Sequence, residues 1–412
     1  MNSVAQFAVA AVFAGAITGS VGFVETVKVG CLFPLTGPGG QYGRDSVIAV
    51  QMAQDQLNAG EQGAEFELQI QIEDTRSKVL RSAQIARQLV EQSEVDFLCG
   101  VVSSSVARAV SAEAALQETF FIGTDHASPS LITDGQHPYY FRLNNGTRQS
   151  MLAGAKYIRE HYADRSTALK IAFIGPDYDY GYQAWDDLRA FLRKEGVPFE
   201  VVGTYWPKLF ETDYSVYLHE LLTNEIDVVV SGHWGLDLVT FIKQAGQADL
   251  FDHSQFMNFD AGGNYEVFAE LGNDMPLGLV LSARHHVNWP DTAANRWFVE
   301  EFHTRAGRYP SYAAQGAYAG IVAIAAAVSA AGGTQDKAAL KTAFETLSLS
   351  LPEDPEGFRS TMDPKTHQIL QVQAIGKTEF NNSYAPATVQ LGQWSVYYPP
   401  EAWPVLEAGD AE

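Results

Sequence analysis

The sequence is short of cysteine, short of basic side chains and empty of common catalytic signatures. Its two cysteines in 412 residues, Cys31 and Cys99, cannot make a disulfide framework, and neither sits in a CxxC or beside paired histidines as a zinc module requires. They lie in the apolar runs VGCLF and DFLCG, which favours two reduced thiols in a core over a single bridge between them. With 27 Lys plus Arg against 49 Asp plus Glu, the net charge is -22, which repels phosphate backbones and excludes nucleic acid as a partner. There is no GxxxxGK[ST], GxGxxG, HExxH or GxSxG, and no spacing supports an enzyme built on Ser104 and His126. A lone His near Asp125 or Asp260 reads as a hydrogen-bonded side chain, so neither a metal nor a cofactor is implied.

What is present points to a large folded chain. The length and the 46% hydrophobic content suffice for a sizeable core and two domains. The stretch Ala8 to Val24, short for a membrane span and rich in small residues, reads as a secretory signal within residues 1–25, which places the protein in the periplasm. The preceding MNSVAQ carries no Lys or Arg, so an apolar strand or anchor remains the alternative. The acidic end EAGDAE, within residues 405–412, reads as a frayed tail.

Apolar strand-like runs then alternate with helical periodicity, the pattern of parallel sheets flanked by helices. Val27 to Phe33 opens the series. Phe66 to Ile72 alternates strictly and belongs at a sheet edge; Val95 to Val102, apolar on both faces, belongs in a centre. Thr119 to Gly123 follows. After HPYYFRLNNGT a second series begins, with strands at Leu169 to Ile174, Phe199 to Val202, Asp227 to Ser231 and Gln255 to Phe259. Leu277 to Ser282 reads as a further central strand, Ala313 to Ala331 as a helix packed on a sheet rather than a membrane span, and Ile369 to Gly376 and Val389 to Tyr398 as two late strands.

In such sheets ligands bind beyond the carboxyl ends of the strands, beside helix N-termini. The residues just past the expected strands are Tyr42, Ser103, Ser104, Ser105, Asp125, His126, Ala127, Ser128, Asp177 to Tyr180, Gly232 to Trp234 and Asp260. Singly each is as good a cap or turn residue as a ligand; their recurrence at equivalent places in both series favours a cleft lined by hydroxyls, rings and a carboxylate.

The runs VKVGCLFPLTGPGGQYG, IEDTRSK, DFLCGVVSSS, DHASPSLIT, YYFRLNN and PDYDYG resemble the periplasmic leucine, isoleucine and valine-binding proteins, type I solute-binding proteins that also include amide, urea and aromatic-acid binders. The resemblance covers about Val27 to Gly376. It implies an α/β fold of two doubly wound, Rossmann-like lobes joined by three crossovers, closing on a small solute and docking on an ABC-transporter permease, with no catalysis and a monomeric state. It implies that Ser104 and neighbouring N–H groups hold a solute carboxylate, that Tyr42, Tyr180 and Trp234 line the cleft, and that Asp260 pairs with a solute ammonium. The sequence departs from amino-acid binders at Asp125, His126 and Ala127, where small residues and a Thr are usual; Ser128 is the candidate replacement hydroxyl, and Trp289, His285 and His286 are candidates to reshape the pocket. Tracing the strands returns the chain to the first lobe near Leu277 and to the second near Ser360. The expected lobes are therefore residues 26–146 with 277–359, and 147–276 with 360–404.

Overall fold

In the computed structural model, residues 25–400 are described apart from 38, 61–65 and 134–136. The expected signal stretch up to Val24 and the acidic tail lie outside the described residues. Among the described residues, fifteen strands follow in chain order: β1 (Glu25–Phe33), β2 (Phe66–Asp74), β3 (Phe97–Gly100), β4 (Phe120–Gly123), β5 (Tyr140–Arg142), β6 (Leu169–Ile174), β7 (Phe199–Tyr205), β8 (Val228–Ser231), β9 (Gln255–Asn258), β10 (Val280–Ser282), β11 (Ser348–Leu349), β12 (Ser360–Asp363), β13 (Gln368–Leu370), β14 (Gln373–Phe380) and β15 (Val389–Tyr397).

They form an eight-stranded sheet ordered β11-β12-β13-β5-β4-β3-β1-β2 and a seven-stranded sheet ordered β15-β14-β10-β9-β8-β6-β7. The first series pairs in parallel in the first sheet and the second series in the second; β10 and β13 join them in parallel, and β11, β12, β14 and β15 add antiparallel edges. Both sheets therefore wind outward from one point, between β1 and β3 in the first lobe and between β6 and β8 in the second. At such a switch point successive helices leave on opposite faces and open a crevice at the strand ends. β2 sits at an edge and alternates buried with exposed positions, as its sequence pattern requires, whereas β3 is buried along its length between β1 and β4.

The late crossings differ from those expected. Leu277 to Ser282 supplies β10, which pairs with β9 in the second sheet, so the chain returns to the first lobe only after Ser282. Ser360–Asp363 and Gln368–Leu370 pair within the first sheet, so the last crossing falls at Gln371 and Val372. That crossing splits Ile369 to Gly376, one strand-like run in the sequence, between two sheets. A local pattern reports that a segment is a strand; its partner is set by long-range pairing.

Two features fix the cleft side of the first lobe. The helix Tyr312–Ala331 has the length and hydropathy of a membrane span but is 83% buried inside the protein, lying on α1 (Gly40–Asn58) and against β3 and β4. At its Gly316 a Cβ would come within 1.9 Å of the Thr124 carbonyl oxygen, so only glycine allows the helix to press on the loop that carries Asp125. The second feature is a disulfide. Cys31 and Cys99 stand opposite each other in the β1–β3 pairing, fully buried, with Cα atoms 4.4 Å apart, and are bonded to each other rather than reduced. The parallel pairing at the switch point brings them together, and nothing in their separate apolar runs announces it.

The bridge spans 68 residues, which in a chain-entropy account stabilises the fold by about 4 kcal/mol. The double variant Cys31→Ala/Cys99→Ala is expected to lose about 2–4 kcal/mol in urea unfolding. An unchanged midpoint and slope would show that the bridge contributes nothing.

Candidate functional site

The carboxyl ends of the two sheets face each other across a cavity of about 480 Å³. Its first-lobe wall begins at α3 (Ser104–Leu116). Ser103 occupies the position before the helix, yet its side chain makes no capping bond, so its hydroxyl and the unpaired N–H groups of the first turn stay open. The Ser104 hydroxyl accepts from the Ser128 N–H at 3.3 Å, which ties the β3 and β4 loops together. Next to it lie Asp125, His126 and Ala127, carried past the end of β4. Gly100 and Gly123 are partners in the β3–β4 pairing, so the serine run and Asp125 leave from neighbouring strands about 4.8 Å apart.

The second-lobe wall supplies Tyr178, Tyr180, Phe210 and Trp234, and the crossover after β10 supplies Arg284. The Arg284 guanidinium is the centre of the site. Its Nη1 donates to Asp125 Oδ1 at 2.8 Å and to the Asp125 carbonyl, its Nη2 to Asp260 Oδ2 at 2.6 Å, and its Nε to Asp260 Oδ1 at 3.3 Å. Its carbon lies 4.6 Å from the Tyr312 ring centroid. One cation, buried with side-chain exposure of 5%, thus joins a carboxylate of each lobe.

The two acids differ. Asp260 also accepts from the Ser150 and Tyr180 hydroxyls, each at 2.7 Å; burial raises its pKa, but the Arg284 pair and these hydrogen bonds outweigh it and hold the carboxyl below its usual range. Asp125 has the Arg284 contact at Oδ1 alone. Burial, opposed by Arg284 and reinforced by Asp260, pushes it up to about 7, and its buried Oδ2 has no hydrogen-bond partner among the described residues. Burial works against the charge of Arg284 as well, but Asp260, Tyr312 and Asp125 overcome it and raise its pKa. His126 is neutral: burial lowers it to about 3. Its Nδ1 faces the Val101 carbonyl and so carries the proton, which leaves Nε2 to accept from the Tyr140 hydroxyl at 2.5 Å.

Of the residues expected from sequence, Ser103, Ser104, Ser105, Asp125, His126, Ala127, Tyr180 and Trp234 line the cavity. Tyr42 and Asp260 stand one layer behind it. Tyr42 stacks on Tyr312, meets Trp234 edge-on with centroids 5.9 Å apart and donates its hydroxyl to Glu266. Asp260 is taken up by Arg284, Ser150 and Tyr180. Ser128 donates instead to Asp179 of the second lobe at 2.6 Å, and Asp179 also pairs with Arg108 of α3 at 3.1 Å. His285 bonds Asn295 at 2.8 Å and His286 packs on Trp394, so both histidines, and Trp289 beside them, lie away from the cavity. Arg284 and Tyr312 were not among the expected residues. Arg284 sits two positions past β10, where the same strand-end rule points.

Two doubly wound lobes, three crossovers and one cavity at their facing strand ends define a solute-binding protein of the cleft type. Residues 26–381 match the family model described as periplasmic binding protein, and the chain belongs to that family. Among its relatives is the Leu/Ile/Val-binding protein homolog 7 of Brucella suis biovar 1, 26% identical over 375 residues that cover 86% of this chain and 88% of that protein. Another is the leucine-, isoleucine-, valine-, threonine- and alanine-binding protein of Pseudomonas aeruginosa, 23% identical over 345 residues covering 82% and 88%. Similar solved folds include an amino acid ABC transporter substrate-binding protein from Pseudomonas fluorescens Pf-5, with a TM-score of 0.79, 19% identity and coverage of 91% and 97%. A Rhodopseudomonas palustris BisB5 solute-binding protein in complex with 3,4-dihydroxybenzoic acid gives 0.78, 20% identity and coverage of 91% and 98%.

Removing the Arg284 charge leaves two buried carboxylates facing each other. Arg284→Met is expected to destabilise the protein by about 3–5 kcal/mol in denaturant unfolding, and adding Asp260→Asn to recover part of that loss. Additive losses in the double variant would show that the two groups are not coupled.

Proposed function

We propose that this protein is the extracytoplasmic receptor of an ABC importer and that it closes on a small α-amino acid. One juxtaposition carries the reading: the uncapped N-terminus of α3 and Asp125, whose buried Oδ2 has no hydrogen-bond partner among the described residues, line the same cavity. An α-amino acid has its carboxylate and ammonium on one carbon and needs a donor set and an acceptor at that spacing. The donors are Ser103, Ser104 and the first-turn N–H groups; the acceptor is Asp125, in the role that the resemblance gave to Asp260. The rings of Tyr178, Tyr180 and Trp234 surround the rest of the solute. Hinge closure adds the second-lobe contacts after the first lobe has bound, and the solute stabilises the closed form by its differential affinity. Family membership supports a periplasmic location and a permease partner, and the buried Cys31–Cys99 bridge supports an oxidising compartment.

A second reading, an aromatic carboxylate without an amine, is favoured by the aromatic lining and by the dihydroxybenzoate held in the Rhodopseudomonas fold neighbour. The two differ in their response to pH. An ammonium needs Asp125 ionised, so with a free-protein value of about 7 its affinity rises by up to about tenfold per pH unit from pH 5 to 7 and then levels. A carboxylate without an ammonium is repelled by ionised Asp125, so its affinity falls above pH 7.

Thermal-shift screening of protein stripped of copurified solute, followed by calorimetry from pH 5 to 8, tests this reading. We expect amino acids to raise the melting temperature, with affinity that climbs toward pH 7, and Asp125→Asn to cut it about 10- to 100-fold and flatten the profile. Binding confined to amine-free aromatic acids, with the opposite pH slope, would replace it by the second reading.

A further inference from the structure

The cavity extends well beyond the space around Asp125 and the serine run. Its volume of about 480 Å³ falls in the range of about 300–1,000 Å³ that buries drug-sized ligands. The space continues to a mouth where Arg76, Ser77, Lys78 and Val79 of the first lobe face Leu209 and Phe210 of the second.

This mouth is basic in a protein of charge -22. The turn after β2 is fixed by Asp74, whose carboxylate accepts from the Leu35 N–H at 2.9 Å, the Thr36 hydroxyl at 2.9 Å and the Arg76 N–H at 2.9 Å. Those three bonds commit the acid to holding the backbone, and Arg76 reaches it only at 3.6 Å with 63% of its side chain exposed. Lys78, just ahead of the helix α2 (Val79–Glu91), makes no ion pair among the described residues. The same turn holds two further cations outside the cavity lining: Arg81 donates to the Asp74 carbonyl at 2.8 Å and Arg44 to the Leu35 carbonyl at 2.9 Å. Across the cleft the wall is apolar at Leu209 and Phe210, and Lys208 is paired with Glu211 at 3.6 Å. The solute's head group, at Asp125 and α3, does not use Arg76 or Lys78.

We propose that the mouth is a second anion subsite and that the preferred solute is an α-amino acid with a distal carboxylate, seated between Arg76 and Lys78. The inference rests on the α-amino-acid reading for its head group and adds the far end. Charge-assisted hydrogen bonds from a guanidinium and an ammonium select an acid over the isosteric amide, and at an exposed mouth the preference weakens as salt screens it. The patch also draws anionic solutes toward an opening on an otherwise negative surface.

Calorimetry with linear α-amino dicarboxylates of increasing chain length, each against its ω-amide, tests the proposal, with plain dicarboxylates and their monoamides as a parallel series. At one chain length the acid is expected to bind at least about tenfold more tightly than the amide. That ratio should fall to near one in Arg76→Gln/Lys78→Gln and shrink in 1 M salt. Equal affinity of acid and amide at every length, or a ratio that survives in the double variant, overturns the subsite. If only the plain series binds, with a ratio that the double variant removes, the subsite stands and the amino-acid head group falls; if neither series binds, both fall.

Discussion

A single guanidinium buried between two carboxylates from different lobes sets the terms for the rest of this structure. Arg284 cannot be held without both acids, because a lone buried cation costs several kcal/mol in lost hydration. Asp125 and Asp260 cannot share one cation equally, because only Asp260 has hydroxyl donors of its own. The inequality leaves one acid spent and the other, Asp125 in the cavity lining, with an oxygen that has no partner among the described residues. The same contact spans the cleft, so Arg284 both shapes the site and holds the lobes together around it.

The architecture delivers these groups by packing. The winding of each sheet about its switch point opens the crevice, the disulfide fastens β1 to β3 beside that point, and the glycine face of the helix Tyr312–Ala331 pushes the Thr124 loop into place from below. His126, neutral and fixed between Val101 and Tyr140, stiffens the segment between Asp125 and Ala127 without adding charge. The second lobe adds mainly rings to the cavity wall, while the serines and Asp125 stand on the first lobe.

Much of this was legible in the sequence, and the remainder fails for identifiable reasons. Alternation, apolar runs and strand-end chemistry are local, so β1 to β4, β6 to β9 and the approach of Ser103 to Ser105, Asp125 to Ala127, Tyr180 and Trp234 to one cleft follow from short stretches of chain; β5, three residues inside HPYYFRLNNGT, reads there as a break. Pairing is not local. β10 reads identically whichever sheet it joins, and the pairing of Arg284 with Asp260, which takes that acid up, is a tertiary contact that neither local stretch encodes. Cys31 and Cys99 are joined by strand order, which their own neighbours do not encode. The run Ile369 to Gly376 reads as one strand because both halves are apolar and go to different sheets, and the break at Gln371 and Val372 shows in the strand pairing.

The pairing of Gln368 in β13 with Arg142 in β5 also governs the order in which the molecule can be assembled. Their side chains are bonded across 226 positions of sequence, and the whole second parallel series lies between them. A ribosome must therefore deliver that entire series before the first sheet can acquire its last three strands. Folding that waits on so distant a contact is slow, and until it arrives β5 presents an unpaired edge. For this chain, the interval between synthesis and completion is a period in which it stays open to handling by other proteins.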